Sequence, residues 1–432
     1  MPERHGSLWC GNEDLPLNKK SSDLLVAALF YDISGSYPSR CNNMKSKKEE
    51  LIFTVAEKEA RHSVIRQMLL ADDLNALLLI GDTNFDTGFC GHLRYYTNLR
   101  TVFFREAVVV FPDSEPVLYT PHAIPESLLH RQTSVAHRFV DDYRYSGDII
   151  ADVIKLLKQR GVSSGRIGIN LELLSVPWYR YLKQELPQIE WVEMHARLMQ
   201  IRFKHTQEEA DVYRKGATLA DGGFEAALKV IRPGVSEYEI VAEIEHFARA
   251  RGAEENFSLI ASGKFSFGDA NTFPFLYPPS ARRIEAGDSI TMEITPRYEG
   301  YWTQLVRTVN VGLPNADVEK LHKVCCGAIR SGLEEFKPGK TVREVVLAIE
   351  SYVNDSGYLL KPPLGHICGV DIVEARILRE NEMVLELGQG VIIHPQICTP
   401  DEKACLLWGE TYLLTEDGYE RLNRAGDELY TL

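Results

Sequence analysis

The chain has no apolar run long enough to cross a bilayer. Its longest, such as LNALLLIG over residues 74–81, fall far short of the roughly 20 residues a membrane helix needs. It also lacks both GxGxxG and GxxxxGK[ST], so no loop is built to cradle a nucleotide phosphate. Basic charge is scarce: the formal net charge is −13, which argues against a nucleic-acid partner, since phosphate neutralisation needs a concentrated Lys/Arg surface. The eight cysteines (Cys10, Cys41, Cys90, Cys325, Cys326, Cys368, Cys398 and Cys405) form no CxxC pair and no zinc-finger spacing. The N-terminus does not resemble a cleavable signal peptide. These absences predict reduced thiols in a cytoplasmic protein with no membrane and no nucleic-acid partner. A small-molecule substrate is the expected ligand.

With 432 residues, the chain is too long for one ordinary core. Residues 1–50 are polar and read as an N-terminal extension. Residues 51–203 alternate helical and strand patterns: a charged helix near 56–70, then ALLLIG, FFREAVVVF, PVLYT, the helical DIIADVIKLLKQRG and RIGIN. Strands separated by helices of this length indicate an α/β domain. Residues 204–432 change to long amphipathic helices and then strands. The first helix opens with the capping box Thr206 and Glu209 and stops before Pro233-Gly234.

This last region repeats itself. IRPGVSEYEIVAEIEHFARARG (231–252) superposes without a gap on FKPGKTVREVVLAIESYVNDSG (336–357) at an offset of 105 residues. Each copy carries a capping box, Ser236 with Glu239 and Thr341 with Glu344. Two helix-Pro-Gly-helix units, each followed by strands, predict a pseudo-twofold α+β domain whose sheet faces a cleft.

Within the strands, MEITPRYEGYWTQLVRTVNVG (292–312) reads as a hairpin about a Tyr-Glu-Gly turn. Alternation puts Glu293 on a polar face with Ser289, Thr291 and Thr295, where a shielded carboxyl rises in pKa and serves as a base. His366 follows Pro362-Pro363-Leu364-Gly365, and His394 ends the apolar run GVII. Imidazoles in such places are proton carriers near neutral pH. Gln304, flanked by Tyr301 and Arg307, has no titrating proton and can only orient a ligand.

Together, the repeated helix-Pro-Gly-helix unit, FSLIASG, GDSITMEI…EGYWTQLVRTVNVG, LGHICGVD, the strand ending in HPQ and the closing GETYLLTEDG resemble the pita-bread superfamily. Its members include aminopeptidase P, prolidase, methionine aminopeptidase and creatinase. The resemblance covers 206–420. It implies the fold class: a creatinase-type α/β domain followed by a pseudo-twofold pita-bread catalytic domain. Metal-dependent members hold two ions with Asp, Asp, His, Glu and Glu. Those positions fall here on Glu293, Gln304, His366, on or beside His394, and on Gly409 with Glu410 next to it.

Only the His is retained, and hard divalent ions need several anionic oxygens. GYWTQLVRT is similar to the form found in creatinase, a member that hydrolyses a C–N bond in a small zwitterion without metal. It departs from creatinase in having Val306 where that line has Glu, and in a loop, SGKFSFGDANTF, that offers Asp269 and Asn271 instead of a His.

The resemblance therefore implies a metal-independent hydrolase with no cofactor that cleaves an amide- or amidine-like C–N bond of a small polar or zwitterionic molecule by His/Glu acid-base or covalent catalysis. Its expected catalytic residues are His366, His394 and Glu293. Substrate contacts are expected from Gln304, Tyr301, Arg307, Glu410, Asp269 and Asn271. A homodimer is also implied, in which His92 and Arg94, on the segment 82–98, reach the partner's cleft. Three other readings stay open: a non-catalytic domain binding a peptide or protein, a metallopeptidase or metal-bearing lyase with unusual ligands, and a single zinc held by His366, His394 and Glu293.

Overall fold

A computed structural model of the chain describes residues 53–81, 91–99, 105–121, 139–264 and 276–432. The first sheet has six strands: β1 (Ala76–Gly81), β2 (Glu106–Val110), β3 (Val117–Thr120), β4 (Asp142–Tyr145), β5 (Ser164–Ile169) and β6 (Gln188–Glu193). Their spatial order is β4-β3-β2-β1-β5-β6, with β1, β5 and β6 mutually parallel. β1 is buried along its whole length because helices cover both of its faces. Leu77 and Leu79 pack on α1 (Val55–Ala71) and α2 (Gly91–Thr97), whereas Ala76, Leu78 and Ile80 pack on α3 (Ile149–Gln159) and α4 (Val176–Glu185). A short helix, α5 (His195–Arg202), leads out of this sheet.

The second sheet has ten strands. Its main path is β13-β12-β14-β17-β10-β8-β7, from Ala375–Arg376, Gly365–Ile367, Gly390–Ile393, Gly409–Thr415, Leu305–Asn310, Ser289–Tyr298 and Glu255–Gly263 respectively. Four helices cover one face: α6 (Gln207–Val230), α7 (Glu237–Arg249), α8 (Ala316–Glu335) and α9 (Val342–Asp355). Ile290, Met292, Ile294 and Leu305 pack in one cluster with residues of α6 and α7; Val391, Ile393 and Tyr412 pack with residues of α8 and α9. All three expected capping boxes form, at Thr206, Ser236 and Thr341.

The repeat is a repeat of hydrogen bonds as well as of sequence. Gly234 and Gly339 each donate to the chain entering the next strand unit, at Ile284 O and Leu385 O. Ile284 and Leu385 donate back to Val235 O and Lys340 O. Gly287 and Gly388, both with positive φ, then bond to Val311 O and Leu414 O and launch β8 and β14. This pseudo-twofold places Glu293 in β8 and His394 after β14 at equivalent positions. The hairpin turn is at Glu299-Gly300, both at positive φ, with Tyr298 paired to Tyr301 across it. That is the geometry whose twist suits a two-residue hairpin.

A three-stranded sheet, β11 (Leu359–Lys361), β15 (Gln396–Cys398) and β16 (Cys405–Leu407), packs against Val306 of β10. Here the expectation of eight reduced thiols is corrected. Cys398 and Cys405 stand directly opposite in the β15–β16 register and are joined as a disulfide. Among the described residues, Cys325, Cys326 and Cys368 are free. No helix among those residues is long and apolar enough to cross a membrane.

Candidate active site

Register builds the site. Glu293 pairs with Val306, Val306 with Gly409, and Ile393, next to His394, with Glu410. At roughly 4.8 Å per strand, Glu293 and Gly409 lie roughly 10 Å apart across the sheet. His366 opposes Ile392, two residues before His394, so both imidazoles share the cleft face, with ring centroids 5.5 Å apart and nearly edge-to-face. Gly409 is what admits His394: a Cβ there would meet Ile393 O at 2.0 Å and His394 Cβ at 2.6 Å. Gln304 is anchored near the row. Its Nε2 donates to Thr295 Oγ1 at 3.1 Å, and its backbone exchanges two bonds with the Thr411 hydroxyl.

The polar atoms of this face are left open. Gln304 Oε1, His366 Nδ1 and His394 Nδ1 are buried with no hydrogen-bond partner among the described residues. Glu293 makes no ion pair there either, and burial alone pushes its carboxyl up to about 7. Burial lowers His366 to about 3, with His394 adding to the effect, and lowers His394 to about 4. This corrects the expectation of imidazoles titrating near neutrality: both rings are neutral at pH 7, and the group poised there is Glu293.

Two expected substrate contacts lie on the wrong side. Arg307 pairs with Met292 and Glu410 with Leu305, which turns both toward the helix-covered face. Arg307 is fully buried, bonded to Glu410, to Gly409 O and to Gly426 O, with its guanidinium 4.5 Å from the Trp408 ring. Glu410 also accepts from Tyr412 Oη and Arg421. Burial raises its pKa, but Arg307 and Arg421 more than offset this and hold it low.

Tyr301 is likewise displaced. Its hydroxyl bonds Glu209, which lies 3.4 Å from Arg61 of α1, so it joins the two sheets instead of lining the cleft. Arg94 pairs with Glu254 beside Gly300, and His92 contacts His195 and Arg202. Both are buried by their own chain. Asp269 and Asn271 lie outside the described residues.

The residues at the two-metal positions do not fit two hard divalent ions. One carboxylate, one amide and two imidazoles replace a carboxylate-rich set, and the last position is a glycine with no room for a side chain. Among the described residues, Glu293, His366 and His394 do not converge as a three-ligand group either. The one group of three potential ligand atoms within 4.8 Å of one another among the described residues is His92, Glu172 and His195, which the sequence reading missed as a set.

Comparison with known proteins agrees with the fold. Residues 211–416 match the pattern of Metallopeptidase family M24, and residues 61–204 match the Creatinase/Prolidase N-terminal domain. An Xaa-Pro dipeptidase of Pyrococcus furiosus is 29% identical over 261 residues, covering 59% of this chain and 73% of that protein. A creatinase of a Bacillus species is 25% identical over 372 residues, covering 82% of this chain and 87% of that protein. The solved Xaa-Pro dipeptidase from Bacillus anthracis superposes with a TM-score of 0.73 at 24% identity, over 87% of this chain and 100% of that one.

Proposed function

Because this chain belongs to the pita-bread superfamily of hydrolases, with a creatinase/prolidase-type domain ahead of its M24 domain, we propose that it hydrolyses a C–N bond of a small polar or zwitterionic molecule without a metal ion in the cleft. The observation that carries this is the cleft face itself: a carboxyl with a pKa near 7 opposite two neutral imidazoles, at positions where a glycine and an amide replace carboxylates. Ionised Glu293 takes a proton from water as that water attacks the carbon of the C–N bond. Protonated Glu293 then returns the proton to the departing nitrogen. His366 and His394 hydrogen-bond the oxygen or nitrogen on which charge develops. Gln304 Oε1, unpaired and held by the Nε2 bond to Thr295, accepts from an N–H of the substrate. A cleft this rich in acceptors suits an amide or amidine bearing several N–H groups.

The test is turnover by chelator-treated enzyme across amidino, ureido and acylamino acids, with Xaa-Pro dipeptides as the comparison set. Undiminished hydrolysis of an N–H-rich acid after chelation is the expected result. Hydrolysis only of Xaa-Pro dipeptides, only with added Mn²⁺, Co²⁺ or Zn²⁺, contradicts it and supports the second reading, an Xaa-Pro peptidase. That reading is favoured by the similarity to the Pyrococcus furiosus protein. A homodimer is part of the proposal, with contacts other than His92 and Arg94.

A further inference from the structure

We propose that His92, Glu172 and His195 form a binding site for one divalent cation of the zinc type, separate from the cleft. His195 Nδ1 lies 2.6 Å from Glu172 Oε2 and 3.0 Å from His92 Nε2, and His92 Nε2 lies 3.9 Å from Glu172 Oε2. Ligands about 2.0–2.1 Å from a tetrahedral zinc stand about 3.4 Å from one another, so small side-chain shifts make a coordination triangle of these three atoms. Two imidazoles and a carboxylate are the donor set that zinc takes in open sites. Glu172 and His195 are partly exposed, which leaves a side for water.

Placement supports the same conclusion. Glu172 follows β5, His195 follows β6 and His92 follows β1, so the triad sits at the carboxyl ends of three parallel strands, where open α/β sheets bind ligands. The Asn170 side chain bonds both the N–H and the C=O of Ile80, fixing the Glu172 turn to β1.

Without an ion, the contacts are short of protons. Arg202 Nη1 donates to His92 Nδ1 at 3.1 Å, which puts the His92 proton on Nε2 and directs it at His195 Nδ1. That nitrogen can accept from His92 or donate to Glu172 but not both, so one of its two short contacts is left without a matched donor and acceptor. Charge points the same way. Arg202 is outnumbered by Asp371 and Glu374, and Glu172 adds a third carboxylate. When the cation binds His92 Nε2, the ring proton moves to Nδ1, the Arg202 Nη1 bond to that nitrogen is given up, and Arg202 keeps its two carboxylates through Nη2.

The experiment is titration of the chelator-treated full chain with ZnCl₂, and with CoCl₂ followed by visible absorption. The expected result is one equivalent bound with the intense bands of a low-coordinate cobalt site and a raised Tm on zinc addition. Glu172→Gln and His195→Gln should weaken binding by more than about 10-fold, while Glu293→Gln leaves it unchanged. Both exposed-site variants are checked for wild-type Tm without metal. No binding, or binding insensitive to Glu172→Gln and His195→Gln, overturns the inference. Binding lost in Glu293→Gln overturns it too and moves the ion to the cleft, which separately contradicts the proposed function.

Discussion

The two faces of the second sheet carry glutamates two strands apart, on β8 and β17, with opposite fates. On the helix-covered face, Glu410 accepts from Arg307, Arg421 and Tyr412, and the two arginines hold it ionised. On the cleft face, Glu293 has no partner among the described residues, and burial alone lifts its pKa to about 7. Buried polar groups are normally satisfied, because leaving one unpaired costs about 1–3 kcal/mol. A face that gathers Gln304 Oε1 and two open imidazole nitrogens beside Glu293 keeps that cost for a ligand, whereas the Arg307–Glu410 face uses its charges to hold strands and helices together.

Substitutions separate the two roles. Glu293→Gln should lower kcat by about 10² to 10⁴ with no loss of Tm, because an uncompensated charge is removed. Glu410→Gln should do the reverse, costing about 3–5 kcal/mol in denaturant unfolding by stranding Arg307, with kcat per folded molecule unchanged. Loss of activity in Glu410→Gln at full stability would break the contrast. His366→Ala and His394→Ala should each cost about 10² to 10³ in kcat. Their double variant should cost less than the product of the singles, since both rings serve one developing charge. Steady-state kinetics on the three proteins decides this. Gly409→Ala should show the smallest effect, about 1–3 kcal/mol of stability, because its Cβ meets Ile393 O and the His394 ring's attachment point. A neutral Gly409→Ala would mean that the packing around His394 is loose.

Much of this architecture was legible in the sequence. The capping boxes at Thr206, Ser236 and Thr341 formed, because each satisfies helix-end N–H groups locally. The facing of Glu293 and His394, away from Ile290, Met292, Ile294 and Ile393 on the helix-packed side, followed from strand alternation. Facing was harder. Glu410 and Arg307 sit one residue from cleft positions, and a one-residue step reverses the face. Tyr301 was read as a ligand contact because nothing local revealed Glu209 and Arg61 waiting above it. The disulfide has no sequence signal beyond two cysteines that a hairpin brings opposite. His92, Glu172 and His195 lie on separate elements and share no motif, so only the fold assembles them. The pKa order was also hidden, because it depends on how deeply each group is buried.

The most direct test of the central claim needs no substrate: the unfolding free energy of the wild-type protein minus that of Glu293→Gln, measured from pH 4 to 9. A carboxyl at about 7 when folded and 4.5 when unfolded binds more protons in the native state between those values. Its contribution is therefore fully present below about 4.5 and is lost as pH rises through about 7. The two lowered imidazoles, whose contribution is present above about 6.5 and lost on acidification, are common to both proteins and cancel. The account predicts a difference that is flat below pH 4.5, falls with a slope approaching ~1.4 kcal/mol per pH unit toward pH 7, and is flat above it. A difference that stays level across that window, or rises with pH, would mean that Glu293 is ionised and partnered, as a metal ligand is, and would contradict the metal-free cleft.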